Sequence, residues 1–324
     1  MDYLQLIFGL AVLLLGANFL VDSSVAIAQR AKISNFIIGL TIVGIGTSAP
    51  ELMVSISSAL SGNGDIAMGN VVGSNICNVL LILGVTAAIA PFPIDDSTSR
   101  QDIPFAIGAT LLLVLLANDS LMPGLTENTI SRLDGIFMLI LMIAYMAWVL
   151  ICKAKDPQAA VAEANDECQS RFTGKNVVLL WAIAAASLVA LIGGGQLFLD
   201  SAQRLAKAWH ISDAVIAITV VAVGTSLPEL TTAVVAACKK NPQLALGNVI
   251  GSNVFNILFI IGASATISPI KVQGISWVDY GVMTLAMLMT FMVVYTFKKK
   301  TMDRIEGYIF LAVYVAYTAY LVIH

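Results

Sequence analysis

Apolar residues run along the chain in ten long stretches, near 3–28, 35–59, 66–90, 103–118, 133–152, 176–199, 212–237, 243–268, 276–297 and 305–323. Each is long enough, or nearly so, to carry a helix across ~30 Å of hydrocarbon. The pattern predicts an all-α integral membrane protein of ten transmembrane helices with little chain left over. The longest polar connection, 153–174 (KAKDPQAAVAEANDECQSRFTG), has 22 residues and is too short to fold as a soluble domain. Polar residues also interrupt the stretches themselves. GTSAPE, residues 46–51, lies inside the second, and GTSLPE, 224–229, lies inside the seventh. Two further polar clusters follow, GNVVGSNICN at 69–78 and GNVIGSNVFN at 247–256.

These interruptions belong to an internal repeat. Shifted by 178 residues, 33–84 aligns with 211–262 without a gap, and 24 of the 52 positions are identical. The offset extends upstream to Gly16/Gly194 and to Asp22-Ser23/Asp200-Ser201, and an echo at offset 172 pairs Arg132–Gly135 with Arg304–Gly307. The chain thus divides into a first five-helix repeat, 1–152, a linker, 153–174, and a second five-helix repeat, 175–324. Five is odd, so the second repeat enters the membrane from the opposite side. Positive charge supports this arrangement. With the N-terminus outside, 13 of the 17 Lys and Arg residues fall on the cytoplasmic side and only Arg132, Arg204, Lys207 and Lys271 fall outside. Both termini are expected to face outward, the linker is expected to be cytoplasmic, and Lys298-Lys299-Lys300 reads as a stop signal. Inverted repeats with interrupted helices are the plan of many secondary transporters.

Composition narrows the class further. The 324 residues are 58% hydrophobic and 11% charged, with a mean hydropathy of +0.89. Soluble domains carry about 25% charged residues. A net charge of −3 gives no reason to expect a nucleic-acid partner. Cys77, Cys152, Cys168 and Cys238 show no CxxC spacing, and His210 and His324 lie far apart, so neither zinc nor another cofactor is expected. Thr47-Ser48 is not part of a GxSxG sequence and no histidine lies near it, which argues against an enzyme. The N-terminus lacks a basic segment, so the first stretch is not read as a cleaved signal peptide.

The repeated clusters carry the chemistry. Within a helix over 35–59, Pro50 supplies no N–H and opens the turn before it. Gly44 and Gly46 loosen that turn, and Thr47 and Ser48 add hydroxyl oxygens. Helical spacing puts Glu51 one turn beyond Thr47 on the same face. Pro228 has the same effect on Gly224, Thr225, Ser226 and Glu229. Freed carbonyls at membrane depth are tolerated where they are buried in protein or line a cavity. Carbonyl and hydroxyl oxygens beside a carboxylate suit a hard cation. Ser74 and Asn78 share a face, as do Ser252 and Asn256, and Asn70 and Asn248 continue those faces. Oxygens from both halves can therefore converge. A lone Gly, Ser or Asn is commonly a packing residue, but two mid-span glutamates related by a repeat are costly unless neutralised, and one Ca²⁺ neutralises both. Asp22 and Asp200 read as solvated helix ends, and Asp134 and Glu306 as carboxylates at helix N-termini.

GTSxPE followed by GNxxGSNxxN, in two copies over ten spans, closely resembles the sodium/calcium exchanger branch of the calcium/cation antiporter superfamily in its compact bacterial form. The resemblance covers nearly the whole chain. It implies that Glu51 and Glu229 hold the ions, with Thr47, Ser48, Ser74 and Asn78 from one half and Thr225, Ser226, Ser252 and Asn256 from the other. Carbonyls of Gly44, Thr47, Ala222 and Thr225 would complete the shells. It also implies exchange of about three Na⁺ for one Ca²⁺ at the bilayer midplane, with spans 1 and 6 sliding across the other eight. Some relatives carry Asp where Asn256 stands, so this site holds two formal negative charges. The short linker has no room for the large Ca²⁺-sensing domains of animal exchangers. The expectation is a Ca²⁺/Na⁺ antiporter of the bacterial inner membrane, sufficient as a monomer. A proton- or K⁺-coupled Ca²⁺ antiporter and a passive cation channel are the alternatives.

Overall fold

The computed structural model describes residues 2–119, 128–153, 170–209, 224–296 and 300–323. Among the described residues, the apolar stretches fold as helices close to their predicted bounds. Seven are long and apolar enough to cross a membrane: Asp2–Ala31 (α1), Gly64–Ile89 (α4), Thr98–Leu116 (α5), Arg132–Ile151 (α6), Val177–Ala208 (α7), Pro242–Ile267 (α9) and Arg304–Ile323 (α11). An eighth span is a bent pair, Asn35–Thr47 (α2) and Ala49–Leu60 (α3), meeting at 46°. Two shorter apolar helices, Leu227–Cys238 (α8) and Trp277–Val293 (α10), complete the described set. The protein is a multi-pass, helical membrane protein. Part of the predicted span 212–237 and most of the 153–174 connection lie outside the described residues.

Burial separates central from peripheral helices. In α9, 94% of the most apolar window is buried, and in α4, 72%, against 17% in α11. The helices carrying the two GSNxxN clusters are therefore the middle of the molecule, and the others present Leu, Ile, Phe and Val to their surroundings.

The two halves pack on each other through contacts that recur with the halves exchanged. α1 lies along α7 in the most extensive helix contact of the molecule. There the α-carbon face of Gly16 meets Ser187 and Leu191, and Gly194 meets Gly9 and Leu13, the same contact at the repeat offset. A methyl group on Gly84 would stand 3.1 Å from the Gly307 carbonyl, and one on Gly262 would stand 3.1 Å from the Gly135 carbonyl, so α4 meets α11 as α9 meets α6. Short strands behave alike. Phe92–Pro93 (β1) pairs with Thr301–Met302 (β4), and Thr129–Ile130 (β2) pairs with Ile270–Lys271 (β3), each ladder joining one half to the other.

Three of the central helices contain π-helical turns: Gly39–Val43 in α2, Cys77–Leu83 in α4 and Asn256–Ile261 in α9. Such turns insert a residue into the helical register and often accompany functional sites. Nothing in the hydrophobic pattern announces them, because stretches that are apolar on every side conceal a shift of register.

Candidate functional site

The site begins where two helices break. At Ser48 the backbone takes φ −81° and ψ 10°, and at Ser226 φ −88° and ψ 8°, so each helix stops and restarts around a serine. Pro50 and Pro228 fall at the start of the restarted helix, where a missing N–H does no harm. This puts Glu51 in the first turn of α3 and Glu229 in the first turn of α8. Both carboxylates are 1% exposed.

Hydroxyl groups serve these carboxylates crosswise. Ser48 Oγ donates to Glu229 Oε1 at 3.0 Å, and Ser226 Oγ donates to Glu51 Oε1 at 3.4 Å. Thr47 also turns toward the second half, donating to Asn248 Oδ1 at 3.2 Å while its hydroxyl stays near the Val43 carbonyl at 3.0 Å. The sequence-based expectation that Thr47 sits on the same face as Glu51 is thus corrected: the helix bends at Ser48, and the hydroxyls of Thr47, Ser48 and Ser226 at the breaks reach across to the other half.

The long helices α4 and α9 close the cluster. Ser74 Oγ reaches Glu51 Oε1 at 3.5 Å, and Ser252 Oγ donates to the Gly44 carbonyl at 3.2 Å. Asn70 Nδ2 donates to the Glu51 carbonyl at 3.1 Å and Asn248 Nδ2 to the Glu229 carbonyl at 3.5 Å, so mirror-related asparagines hold the backbones of mirror-related glutamates. Asn70 is further bound to Ser55 Oγ at 3.0 Å.

Of the predicted site residues, Glu51, Glu229, Thr47, Ser48, Ser74, Asn78, Ser226, Ser252 and Asn256 are all buried, Gly44 lends its carbonyl, and Thr225 is half-buried beside them. Ala222 lies outside the described residues. Among the described residues, one oxygen of each acid (Oε2 of Glu51 and of Glu229), the Oδ1 of Asn78 and both amide atoms of Asn256 have no hydrogen-bond partner. An unpaired polar atom in this setting costs about 1–3 kcal/mol, and more for a charged group. Oxygens with unused lone pairs around two carboxylates offer the kind of chemistry that a hard cation takes.

Asp22 is not a solvated helix end. α1 runs nine residues past it, and its buried carboxylate meets Lys239 Nζ at 2.7 Å and Arg171 Nε at 3.5 Å. Its repeat counterpart Asp200 is exposed, but it too lies within its helix, because α7 runs eight residues past it. Asp134 caps α6 through Ser131, and Glu306 binds the Asp303 N–H at 2.7 Å in the first turn of α11. Sequence reasoning passed over Asn75 and Asn253, which sit next to the shared-face serines. Their recurrence in both copies was the available signal, but helical spacing from Ser74 turned them off the face under consideration.

Comparison with known proteins accords with this geometry. The profile of a family described as sodium/calcium exchanger protein matches residues 1–151 and 179–323. The chain belongs to this family. Within the family, the sodium/calcium exchanger MaX1 of Methanosarcina acetivorans is 32% identical over 85% of this chain and 85% of its own. The inner membrane protein YrbG of Escherichia coli is 34% identical over 86% of this chain and 84% of its own. Among solved structures, the sodium-calcium exchanger NCX_Mj soaked with Na⁺ and Ca²⁺ superposes with a TM-score of 0.80 at 31% identity, covering 98% of this chain and 97% of that one.

Proposed function

We propose that this exchanger-family protein is a secondary antiporter that moves Ca²⁺ against Na⁺ by alternating access. The observation that carries the reading is the pair of buried glutamates from opposite halves, each bonded to a serine of the other half and each keeping one oxygen unpaired. Glu51 and Glu229 supply the charge. Thr47, Ser48, Ser74, Asn78, Thr225, Ser226, Ser252 and Asn256, with carbonyls of Gly44, Thr47, Ala222 and Thr225, supply neutral oxygens. Two carboxylates balance one Ca²⁺, and when Ca²⁺ leaves, their burial demands replacement cations, which couples the two ions.

The chain is read as ten spans in two inverted halves, 1–152 and 175–324, joined by a cytoplasmic linker, with both termini outside the bacterial inner membrane. The recurrence of the α1–α7 glycine contacts, of the α4–α11 and α9–α6 contacts and of the two strand ladders with the halves exchanged supports this reading. One chain contains both acids, so a monomer suffices, and neither enzymatic chemistry nor a cofactor is called for.

The test is flux in proteoliposomes of purified protein. An outward Na⁺ gradient is expected to drive ⁴⁵Ca²⁺ uptake, and choline in place of Na⁺ to stop it. Uptake driven equally well by a pH or K⁺ gradient would replace the Na⁺ assignment, and downhill Ca²⁺ flow with no counter-ion would identify a channel.

A further inference from the structure

The oxygen of Asn78 that the proposed site uses is held in place by residues outside that site. Asn253, in α9, is 2% exposed and donates from Nδ2 to the Asn75 carbonyl at 3.4 Å and toward Met287 Sδ at 3.6 Å. Both are acceptors with no proton to give. The nitrogen of the Asn253 amide is therefore committed to that side, and its Oδ1 must face the opposite way. There it accepts from Asn78 Nδ2 at 3.0 Å. Asn78 cannot turn its amide over without setting two acceptors against each other. Its own Oδ1 is consequently left as a buried acceptor with no hydrogen-bond partner among the described residues. A carbonyl fixed by the backbone thus sets, through two successive amides, which end of Asn78 is presented.

We infer that Asn253 is a positioning residue for the ion site, fixing Asn78 so that its oxygen rather than its NH₂ group faces the cations. This rests on the reading of Asn78 as an ion ligand. The sign of the amide dipole matters in so dry a site. An oxygen attracts a cation, whereas an NH₂ group in the same place repels it and needs an acceptor of its own. The device serves one half only. The mirror residues Asn75 and Asn256 have neither amide atom hydrogen-bonded among the described residues, so the second half's amide lacks this restraint.

A double-mutant cycle in proteoliposomes tests the inference, with half-saturating Na⁺ and Ca²⁺ and maximal rate measured for Asn78→Ala, Asn253→Leu and the pair. Asn253→Leu is expected to raise the half-saturating cation concentration roughly fivefold, the net worth of one hydrogen bond, with little change in maximal rate. The pair should be no worse than Asn78→Ala alone, because Asn253 acts through Asn78. Losses that multiply in the pair mark a general packing role and overturn the inference, as does an unchanged Asn253→Leu. If Asn78→Ala itself changes nothing, the ligand reading of Asn78 falls first and this inference with it. Should Asn253→Leu not fold, Asn253→Ser, too short to reach both partners, carries the same cycle.

Discussion

Glu51 and Glu229 are each held by a serine from across the molecule, so neither acid is set by its own half alone. Replacing either with glutamine keeps the shape and one acceptor but removes a charge that the proposed ions require. Glu51→Gln and Glu229→Gln should each reduce Na⁺-driven ⁴⁵Ca²⁺ uptake by roughly 100-fold or more, equivalent to about 3 kcal/mol of ion stabilisation, with normal yield of folded protein. Wild-type rates in either variant would remove these acids from the transport site. Asn256 has neither amide atom engaged, so a carboxylate there would meet no existing donor network and would act mainly as added charge. Asn256→Asp is expected to alter the Na⁺ or pH dependence of exchange, and an ion profile identical to wild type would put residue 256 outside the centre. At this scale the sequence was informative where a polar residue in an apolar stretch recurred at the repeat offset, which is how the glutamates, serines and threonines were found. It was silent about partners. Whether Thr47 faces Glu51 or the opposite half depends on a bend of 46°, and no spacing rule contains that angle.

Among helices, the proline-bearing breaks were legible because Pro50 and Pro228 cannot continue a helix. The π-helical turns were not, since an all-apolar surface carries no phase to shift. The environment of Asp22 was also hidden, because its partners lie 149 and 217 residues away in the chain. Lys239, at the end of α8, donates both to Asp22 and to the Asn18 carbonyl at 2.9 Å. Ser170 Oγ bonds the Asp22 carbonyl at 2.6 Å, and Phe172 stacks on Phe19 at 6.0 Å, so the segment entering α7 is strapped along α1. Removing only the lysine charge leaves a buried carboxylate facing the exposed Arg171 guanidinium at 3.5 Å. Lys239→Gln should lower stability by up to about 3 kcal/mol, read as a drop in melting temperature, and adding Asp22→Asn should recover part of it. A double variant less stable than Lys239→Gln would mean that the pair carries no such coupling.

For the whole molecule, the repeat in the sequence contains nothing about how thoroughly the two segments interlock. The β1–β4 ladder is reinforced by an ion pair between Asp96, just after β1, and Lys300, just before β4. The Lys300 ammonium, by hydrogen bond and then by charge, holds the Asp96 carboxyl below the usual aspartate range. A depressed folded-state value means that the pair's contribution is present at neutral pH and is lost as pH falls through that value. Asp96→Asn should therefore differ from wild type in melting temperature near neutrality, modestly because both groups are exposed, and match it in strong acid. A gap that persists in acid would assign the effect to something other than the ion pair.

The exchanged glycine contacts also bear on how the protein is made. Because α4 meets α11, α9 meets α6 and α1 meets α7, a nascent first half leaves the ribosome with its best-fitting neighbours not yet synthesised. It should stay sensitive to protease until the rest of the chain arrives. Two fragments translated separately, split within the linker, should each be degraded alone and survive when produced together.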